Sequence, residues 1–323
     1  MKTIFRHAGL TLCVAALTAA VACAPASAEE LFSVTLLGTG SPRPSTERNG
    51  PSTLVEVAGQ KLMFDMGRNN TVALSRAHIP LGAITAHFIT HLHSDHINGL
   101  PDLYLSGWIG APYANRVKPF VVYGPKGTQA MMQHLYDAFE EDRRIRHADE
   151  HESLDAAQIE AHDIGTGVVY NVGGVRVTAF PVFHGELIKP AYGYKIEYKG
   201  HKIVLSGDTR YAKTVEQEGA GADLLIHEVA TVGGGADTLV ASEPFYRAVL
   251  DHHITAEDAG RLFTIAKPQL AVYSHIVAPG NFKGSVAEQL ISETRKTYEG
   301  PLVVGEDMMR FRVSDKGIAM DKL

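Results

Sequence analysis

Residues 91–96 read HLHSDH and so place three imidazoles and one carboxylate within six positions. Neutral imidazole and carboxylate are ligands that zinc and similar divalent ions accept. An accidental cluster in a polar surface turn is the alternative, but burying so many polar groups without a partner would be costly. On a turn that leaves a strand, His91 and His93 can face one point. The chain then brings Asp95 and His96 round to a second point, so the string predicts a site for two metal ions.

Three more candidate ligands lie at or just after predicted strands further along the chain. His184 ends one apolar segment, Asp208 follows another in Ser-Gly-Asp-Thr, and His275 follows a third. Each has an ordinary structural interpretation on its own, since Gly-Asp-Thr is a common turn. Because strand ends in a layered sheet share one edge, these groups can meet there, and the two oxygens of Asp208 could bridge two ions.

The elements that must position these residues alternate between strands and helices, which predicts a mixed α/β layered domain. The predicted strands are Phe32–Leu37, Ser52–Val57, Lys61–Phe64, Ile84–Thr90, Pro119–Tyr123, Val175–Val182, Tyr192–Tyr198, Lys202–Leu205, Leu224–Ile226 and Leu270–Tyr273. The predicted helices are His96–Leu105, Lys126–Phe139, Thr255–Ala266 and Ala287–Tyr298. The charged segment Glu140–Glu152 predicts a solvated edge or loop. The segment Thr231–Asp251 predicts a long loop or lid, and its role stays open.

The first 28 residues have the pattern of a secretory signal peptide. A short basic start precedes an apolar run from Leu10 to Cys23, and the small-residue exit Ala26-Ser27-Ala28 follows. We therefore expect cleavage after Ala28, a periplasmic or secreted protein and a hydrolase domain over residues 29–323. An uncleaved anchor and a lipoprotein modified at Cys23 are the alternatives. After cleavage we expect no membrane attachment, because no later segment is long and apolar enough to span a bilayer.

Charge and cysteine content narrow the chemistry of the mature chain. The signal segment takes two of the 30 basic residues and none of the 36 acidic ones, which leaves a net charge of −8. Nucleic-acid binding needs a basic patch, so we expect a small-molecule ester substrate and no nucleic-acid partner. Both cysteines, Cys13 and Cys23, lie in the signal segment. A metal site in the mature chain must therefore use histidine and carboxylate.

The string at residues 91–96 resembles the signature of the metallo-β-lactamase superfamily. Further motifs resemble its ribonuclease Z and secreted arylsulfatase branch, over nearly the whole mature chain. These are Leu37–Pro42, Pro190–Tyr194, Ser206–Arg210, Ile226–Glu228 and His253–Thr255.

The resemblance implies a four-layer αββα sandwich with two metal ions at one sheet edge. The first ion would be held by His91, His93 and His184. The second would be held by Asp95, His96 and His275, with Asp208 bridging both. We expect Zn²⁺, with Mn²⁺ or Fe²⁺ as alternatives. The resemblance also allows a homodimer.

Three residues are the catalytic candidates. Two ions can lower the pKa of a shared water, so that a bridging hydroxide attacks the ester, and Asp95 could orient it. His253 fits the family's His-x-Ser/Thr pattern and would stabilise the leaving oxygen, held protonated by Glu228. The alternative is that His253 only caps the helix that begins near Thr255.

The resemblance leaves the substrate open. In ribonuclease Z a long tRNA-gripping arm lies between the positions matched by His184 and Asp208, which here are only 24 positions apart. This spacing favours an exported arylsulfatase-like sulfuric ester hydrolase. The alternatives are a phosphodiesterase acting on aryl phosphodiesters or cyclic nucleotides, and a lactone or other ester hydrolase. A non-catalytic metal-binding protein is disfavoured, because the ligand set is complete.

Overall fold

Two β-sheets packed face to face carry the predicted site residues. The computed structural model describes residues 32–231, 244–278 and 285–323. In chain order the strands are β1 Phe32–Gly38, β2 Ser52–Val57, β3 Gln60–Phe64, β4 Ala86–Phe88, β5 Phe120–Gly124, β6 Ile159–Asp163, β7 Gly167–Val172, β8 Val175–Pro181, β9 Tyr192–Tyr198, β10 His201–Leu205, β11 Leu224–Ala230, β12 Leu270–Val277, β13 Leu302–Val304, β14 Met309–Ser314 and β15 Gly317–Lys322. One sheet has the order β15-β14-β1-β2-β3-β4-β5-β6, and the other has β13-β12-β11-β10-β9-β8-β7.

Helices cover the outer faces of both sheets. In chain order they are α1 Asn70–Arg76, α2 Ser94–Ile97, α3 Leu100–Trp108, α4 Thr128–Ala138, α5 Glu140–Asp149, α6 Leu154–Ala157, α7 Lys213–Glu218, α8 Pro244–Leu250, α9 Ala256–Ala266 and α10 Val286–Thr294. None of the helices in the described part of the chain is long and apolar enough to cross a membrane.

Three apolar clusters hold the layers together. Because successive strand residues point to opposite faces, each central strand supplies both an inner and an outer cluster. Val34 and Val272 belong to the cluster between the sheets. Leu54 packs outward in the cluster that includes α1, α3 and α4, and Leu225 in the cluster that includes α7, α9 and α10. The predicted αββα sandwich is therefore confirmed.

The strand predictions hold best where a segment is buried. The strand predicted over Ile84–Thr90 is shorter, at Ala86–Phe88, and the helix predicted over His96–Leu105 is two helices, α2 and α3. The loop predicted over Glu140–Glu152 is wrong, because α5 forms there. Helix α5 is stabilised by ion pairs on its surface. Arg144 pairs with Glu141 at 2.7 Å, and Arg146 pairs with Glu150 at 2.9 Å.

Two sequence predictions fall partly or wholly outside the described residues. The signal peptide, residues 1–28, lies outside them, so its cleavage stays a prediction. In the predicted lid over Thr231–Asp251, residues 232–243 also lie outside, while Pro244–Leu250 is the helix α8.

Candidate metal centre

The string at residues 91–96 leaves β4 and turns into the short helix α2. His91 and His96 are buried. In each ring, Nδ1 lies within hydrogen-bond distance of a neighbouring side chain. His91 Nδ1 lies 3.0 Å from Thr90 Oγ1, and His96 Nδ1 lies 2.7 Å from Asp65 Oδ2. With Nδ1 donating in both rings, Nε2 is the nitrogen that would bind a cation once it carries no proton.

The second sheet supplies the other three candidate ligands. His184 follows β8, and its Nδ1 donates to the carbonyl oxygen of His252 at 3.0 Å. Asp208 follows β10 after Gly207, whose φ is +60° and where an added Cβ would lie 2.4 Å from the carbonyl oxygen of Tyr192. The turn that aims Asp208 therefore requires glycine.

His275 lies within β12 rather than after it, which corrects the predicted strand end at Tyr273. The register between β11 and β12 shifts at this point, between His227 and Val229, and His275 has a φ of +43°. A bulge of this kind redirects one side chain out of the alternating pattern. His275 Nε2 consequently lies 3.2 Å from Oδ2 of Asp95, a residue that follows β4 of the other sheet.

Asp208 is the point at which the two predicted ligand groups meet. Its Oδ2 lies 3.9 Å from His91 Nε2 and 3.6 Å from His184 Nε2. The same oxygen lies 3.3 Å from His96 Nε2 and 3.4 Å from His275 Nε2. The structure therefore places one carboxylate oxygen between both sets of imidazoles.

The donor atoms also form compact groups without Asp208. Ligand atoms of His91, His93 and His184 lie within 4.8 Å of one another, as do those of Asp95, His96 and His275. All seven predicted metal ligands are thus brought together at one edge of the sandwich, in the grouping that the resemblance implied.

Burial and mutual charge set the protonation of the cluster. Burial lowers the pKa of His91 well below its ordinary value and that of His184 to about 4, so both rings are neutral near pH 7. Burial alone would raise the pKa of Asp208, but His275 and His96 hold it well below its usual range. Burial also lowers the pKa of His96, but Asp208 and Asp65 outweigh it and raise that pKa well above its ordinary value, so a cation would have to displace a proton from this ring. Neutral His91 and His184 and ionised Asp208 are already in the forms that a divalent cation requires.

Unpaired buried atoms show that the cluster fits a metal. His91 Nε2, His96 Nε2 and Asp208 Oδ1 are buried, and the described residues offer none of them a hydrogen-bond partner. Leaving three such atoms unsatisfied would be costly. Histidine nitrogens and carboxylate oxygens are suitable ligands for zinc, so a bound cation would satisfy the cluster. The chain thus carries histidine and aspartate clusters that could hold metal ions.

Asp65 is a functional residue that the sequence analysis missed. It follows β3 with a φ of +56°, and its Oδ1 accepts the backbone N–H of Thr90 at 2.9 Å. Its Oδ2 accepts from Thr90 Oγ1 at 2.9 Å and from the His96 ring. Asp65 thus orients one ligand and the turn that carries another. The available signal was an aspartate at a strand end, directly followed by Met-Gly.

Glu228 and His253 form a buried pair beside the cluster. Glu228 Oε2 lies 3.0 Å from His253 Nδ1, and Oε1 accepts the backbone N–H of Ile254 at 3.0 Å. Burial lowers the pKa of His253, but the Glu228 carboxylate outweighs it and raises that pKa to about 9. The helix α9 is capped by Thr255, whose hydroxyl accepts the N–H of Asp258, so His253 is not needed as the cap.

Comparisons with a family model, with known sequences and with solved structures each match more than half of this chain. The family model of the anti-Pycsar protein Apyc1 matches residues 32–240. Ribonuclease Z of Mycolicibacterium gilvum is 31% identical over 286 residues, which cover 88% of this chain and 96% of that protein. The metallo-β-lactamase fold protein YhfI from Bacillus subtilis superposes with a TM-score of 0.67 at 17% identity, over 88% of this chain and 100% of that one. The short form of human tRNase Z gives a TM-score of 0.61 at 22% identity, over 86% and 98%.

Fold and site together define a metal-dependent hydrolase of the metallo-β-lactamase fold. Within that superfamily the chain belongs to the ribonuclease Z branch, since its relatives there are more than 30% identical over nearly their whole length.

This membership overturns two predictions. The predicted arylsulfatase-like activity is wrong, because the relatives are ribonucleases. The short spacing between His184 and Asp208 shows that no long arm is inserted there to hold a large substrate. It carries no information about which bond is cleaved. The exclusion of nucleic acid is also wrong, since a ribonuclease acts on RNA. Net charge is a sum over the whole chain, so it does not reveal local basic groups. Lys126 and Lys189 are such groups, and they line a cavity beside His93.

Proposed function

We propose that this protein is a binuclear metal-dependent phosphodiesterase that cleaves a phosphodiester bond between ribonucleotides. One observation carries the proposal, namely the position of Asp208 Oδ2 between imidazoles of both ligand groups at 3.3 to 3.9 Å. Such a carboxylate can bridge two cations, which is the arrangement used to displace an oxygen at phosphorus. The relatedness to ribonuclease Z supports the choice of phosphorus over sulfur or an acyl carbon.

The proposed metal ligands form two groups, and the ligand atoms of each group lie within 4.8 Å of one another. His91, His93 and His184 would hold one ion, Asp95, His96 and His275 would hold the other, and Asp208 would touch both. Zn²⁺ is the ion that we propose, with Mn²⁺ or Fe²⁺ as alternatives that accept the same donors. Two such cations supply an activated water nucleophile and neutralise charge on the phosphoryl oxygens.

The chain's own side chains complete the reaction. A ribose alkoxide is a poor leaving group, so it needs a proton as the phosphorus–oxygen bond breaks. His253 is the proton donor that we propose, because Glu228 engages its Nδ1 and leaves Nε2 for the substrate. A ligand atom of His253 lies within 4.8 Å of those of His184 and Asp208, so the donor would stand beside a phosphate bound at the metal centre. Asp95, one of the proposed ligands of the second ion, would also orient the attacking water.

A second candidate substrate is a small phosphodiester such as a cyclic nucleotide. Between His184 and Asp208 the structure has a short loop followed by the β9–β10 hairpin, which leaves no room for an inserted arm. A protein without such an arm has less surface with which to grip a folded RNA. The proposed bond and the proposed residues are the same for both candidates.

A turnover panel with metal analysis tests the proposal. The zinc-loaded protein is assayed on a short RNA, a 3′,5′-cyclic nucleotide, an aryl phosphodiester and an aryl sulfate. We expect turnover of phosphodiesters and none of the sulfate. Asp208→Ala should lose both metal and turnover, whereas the matched control Asp137→Ala, at an exposed position in α4, should keep both. A fully metallated protein that cleaves no phosphodiester would refute the proposed function.

A further inference from the structure

A cavity of about 250 Å³ opens beside the metal centre and is not used by the proposed reaction. Its walls are mainly apolar and come from the turn after His91 and from two loops. The apolar members are Leu92, Pro125, Leu187, Ile188 and Pro190. His93, one of the proposed metal ligands, lines the same cavity. The cavity and the metal centre are therefore neighbours that share a wall.

His93 also marks the side from which a substrate reaches the metals. The seven proposed ligands all lie in described parts of the chain, and six of them are buried, whereas His93 is exposed. A phosphate can therefore reach the cations past His93, and a group attached to it can then extend over the cavity.

The loop that forms one wall begins at the metal centre and is closed at its base by a backbone hydrogen bond. It begins at the proposed ligand His184, and the backbone N–H of Val182 donates to Ala191 O at 3.0 Å across its base. Inside the loop, Ile188 N donates to Gly185 O at 3.3 Å. Leu187 stands at the tip of this turn and is 100% exposed. Leu92 also lines the cavity and is 37% exposed.

A glycine packs closely beside Leu92, one of the residues that line the cavity. Gly127 has a φ of +106°, and a Cβ placed there would lie 3.3 Å from Leu92 Cδ1. Any larger residue would press on Leu92. Leu92 and Leu187 thus both line the cavity beside the metal centre and are exposed, and such apolar surface favours an apolar ligand.

The rim of the cavity is basic. Lys126 and Lys189 both line it, and both are exposed. Lys189 Nζ pairs with Glu186 Oε2 at 2.7 Å on the open surface, where such pairs are weak and readily exchanged. Two ammonium groups at the mouth attract an anionic substrate and can contact its phosphate oxygens.

We propose that this cavity, defined by Leu92, Leu187 and Ile188, binds one nucleobase of the substrate while the adjoining phosphate lies at the metal centre. This inference rests on the proposed function and adds a specificity site to it. The volume is below the range for a whole small-molecule ligand, and it suits a single planar ring. Apolar walls grip the faces of any base, so the site prefers nucleotides over simple phosphate without selecting a sequence.

Equilibrium binding tests the cavity without any turnover. Isothermal titration of the zinc-loaded protein measures the Kd of uridine 5′-monophosphate and of inorganic phosphate. We expect the nucleotide to bind more tightly than phosphate. Leu187→Ser should weaken nucleotide binding by about tenfold and leave phosphate binding unchanged, because Leu187 touches only the base. Leu187→Phe should tighten nucleotide binding, since an aromatic ring stacks on a base. Val117→Ser, at a position that is 71% exposed and does not line the cavity, is the matched control.

The possible results separate the two proposals. Equal affinity for nucleotide and phosphate, or nucleotide binding that Leu187→Ser does not alter, would overturn the base site even in an active phosphodiesterase. Nucleotide binding that depends on Leu187, in a protein that cleaves no phosphodiester, would keep the base site and overturn the proposed function instead. Full solubility of Leu187→Ser is expected, because the side chain it removes is not packed against the core.

Discussion

Glu228 Oε2 lies 3.0 Å from His253 Nδ1, and the same carboxylate holds the backbone of Ile254, the next residue in the chain. Glu228 comes from the bulged end of β11, which also pairs with the strand that carries His275. The proposed proton donor and a proposed metal ligand are therefore positioned by one irregularity in the second sheet. Its consequences for activity can be tested residue by residue.

Replacement of His253 should slow the cleavage of different substrates to different extents, depending on their leaving group. His253→Gln should slow cleavage of a ribonucleotide diester by about 10² to 10⁴-fold, the usual contribution of a general acid. An aryl phosphodiester should be affected far less, because phenolate leaves without a proton. The ratio of kcat/KM for the two substrates is the measurement. His252→Gln is the matched control, and equal losses on both substrates would rule out proton donation.

Asp65→Asn should weaken metal binding while the fold is retained. The amide can still accept from the Thr90 backbone, but it loses the charge that holds the His96 ring at 2.7 Å. Loss of such a partner costs about 10 to 100-fold in metal affinity. Competition with a zinc chelator measures the affinity, and circular dichroism checks the fold. An unchanged affinity would mean that Asp65 only supports the turn.

Gly207→Ala should damage the bridge between the two ligand groups. An added Cβ would lie 2.4 Å from the Tyr192 carbonyl oxygen, at a φ of +60° that alanine disfavours. The turn must shift, and Asp208 shifts with it. We expect lower metal content, measured by elemental analysis, together with reduced thermal stability. Gly200→Ala, at a φ of +87° in the β9–β10 turn with nothing within 4 Å of the added atom, is the control: it shares the backbone strain, so only Gly207→Ala should lose metal.

Stability should fall in mild acid because of buried His87. Its ring stacks on Phe120, and its Nδ1 donates to Val121 O at 2.8 Å. Burial lowers the pKa of His87 to about 3, from an unfolded value of 6.5. The unfolded state therefore takes up the proton first, so the free energy of unfolding decreases as the pH falls from 6.5 toward 3.

The contribution of this residue can be isolated with a variant. His87→Gln keeps a donor for Val121 and removes the titrating group. Each pH unit below 6.5 should cost the wild type about 1.4 kcal/mol more than the variant. Urea unfolding at pH 7 and at mildly acidic pH measures the difference for both chains. Parallel pH dependence in the two would show that His87 does not contribute.

Cleavage of the first 28 residues is a separate prediction about the compartment. Expression of the full chain with a secretion system should yield a mature protein that begins at Glu29, since small residues precede that position. Intact mass of the periplasmic fraction is the measurement. Ala28→Arg should block processing, and a protein that retains Met1 in the cytoplasm would exclude export.

The ligand set was predictable because its chemistry is concentrated in six consecutive residues and repeated at strand ends. Residues whose role depends on distant partners were not. Asp65 stands 31 positions before His96, and nothing in its local sequence identifies the contact. The position of His275 within a bulge depends on the register of two strands, which periodicity does not report.

The fold was predictable to a similar extent. Strands buried on both faces, such as β12 with its initial Leu270–Tyr273, appear as continuous apolar runs. The strand β7 was missed because four of its six residues are exposed and it lies at a sheet edge. Helix α5 was misread as a loop, since its ion pairs leave no apolar periodicity to detect.

Each proposed metal group draws ligands from both sheets. His91, His93, Asp95 and His96 follow β4 of the first, while His184, Asp208 and His275 belong to the second. A cation bound here would cross-link the two sheets, because they could not separate at this edge without releasing it. Metal supply would then govern the lifetime of the folded molecule as well as its chemistry. In a zinc-starved compartment, proteolysis at this seam would remove empty copies before loaded ones.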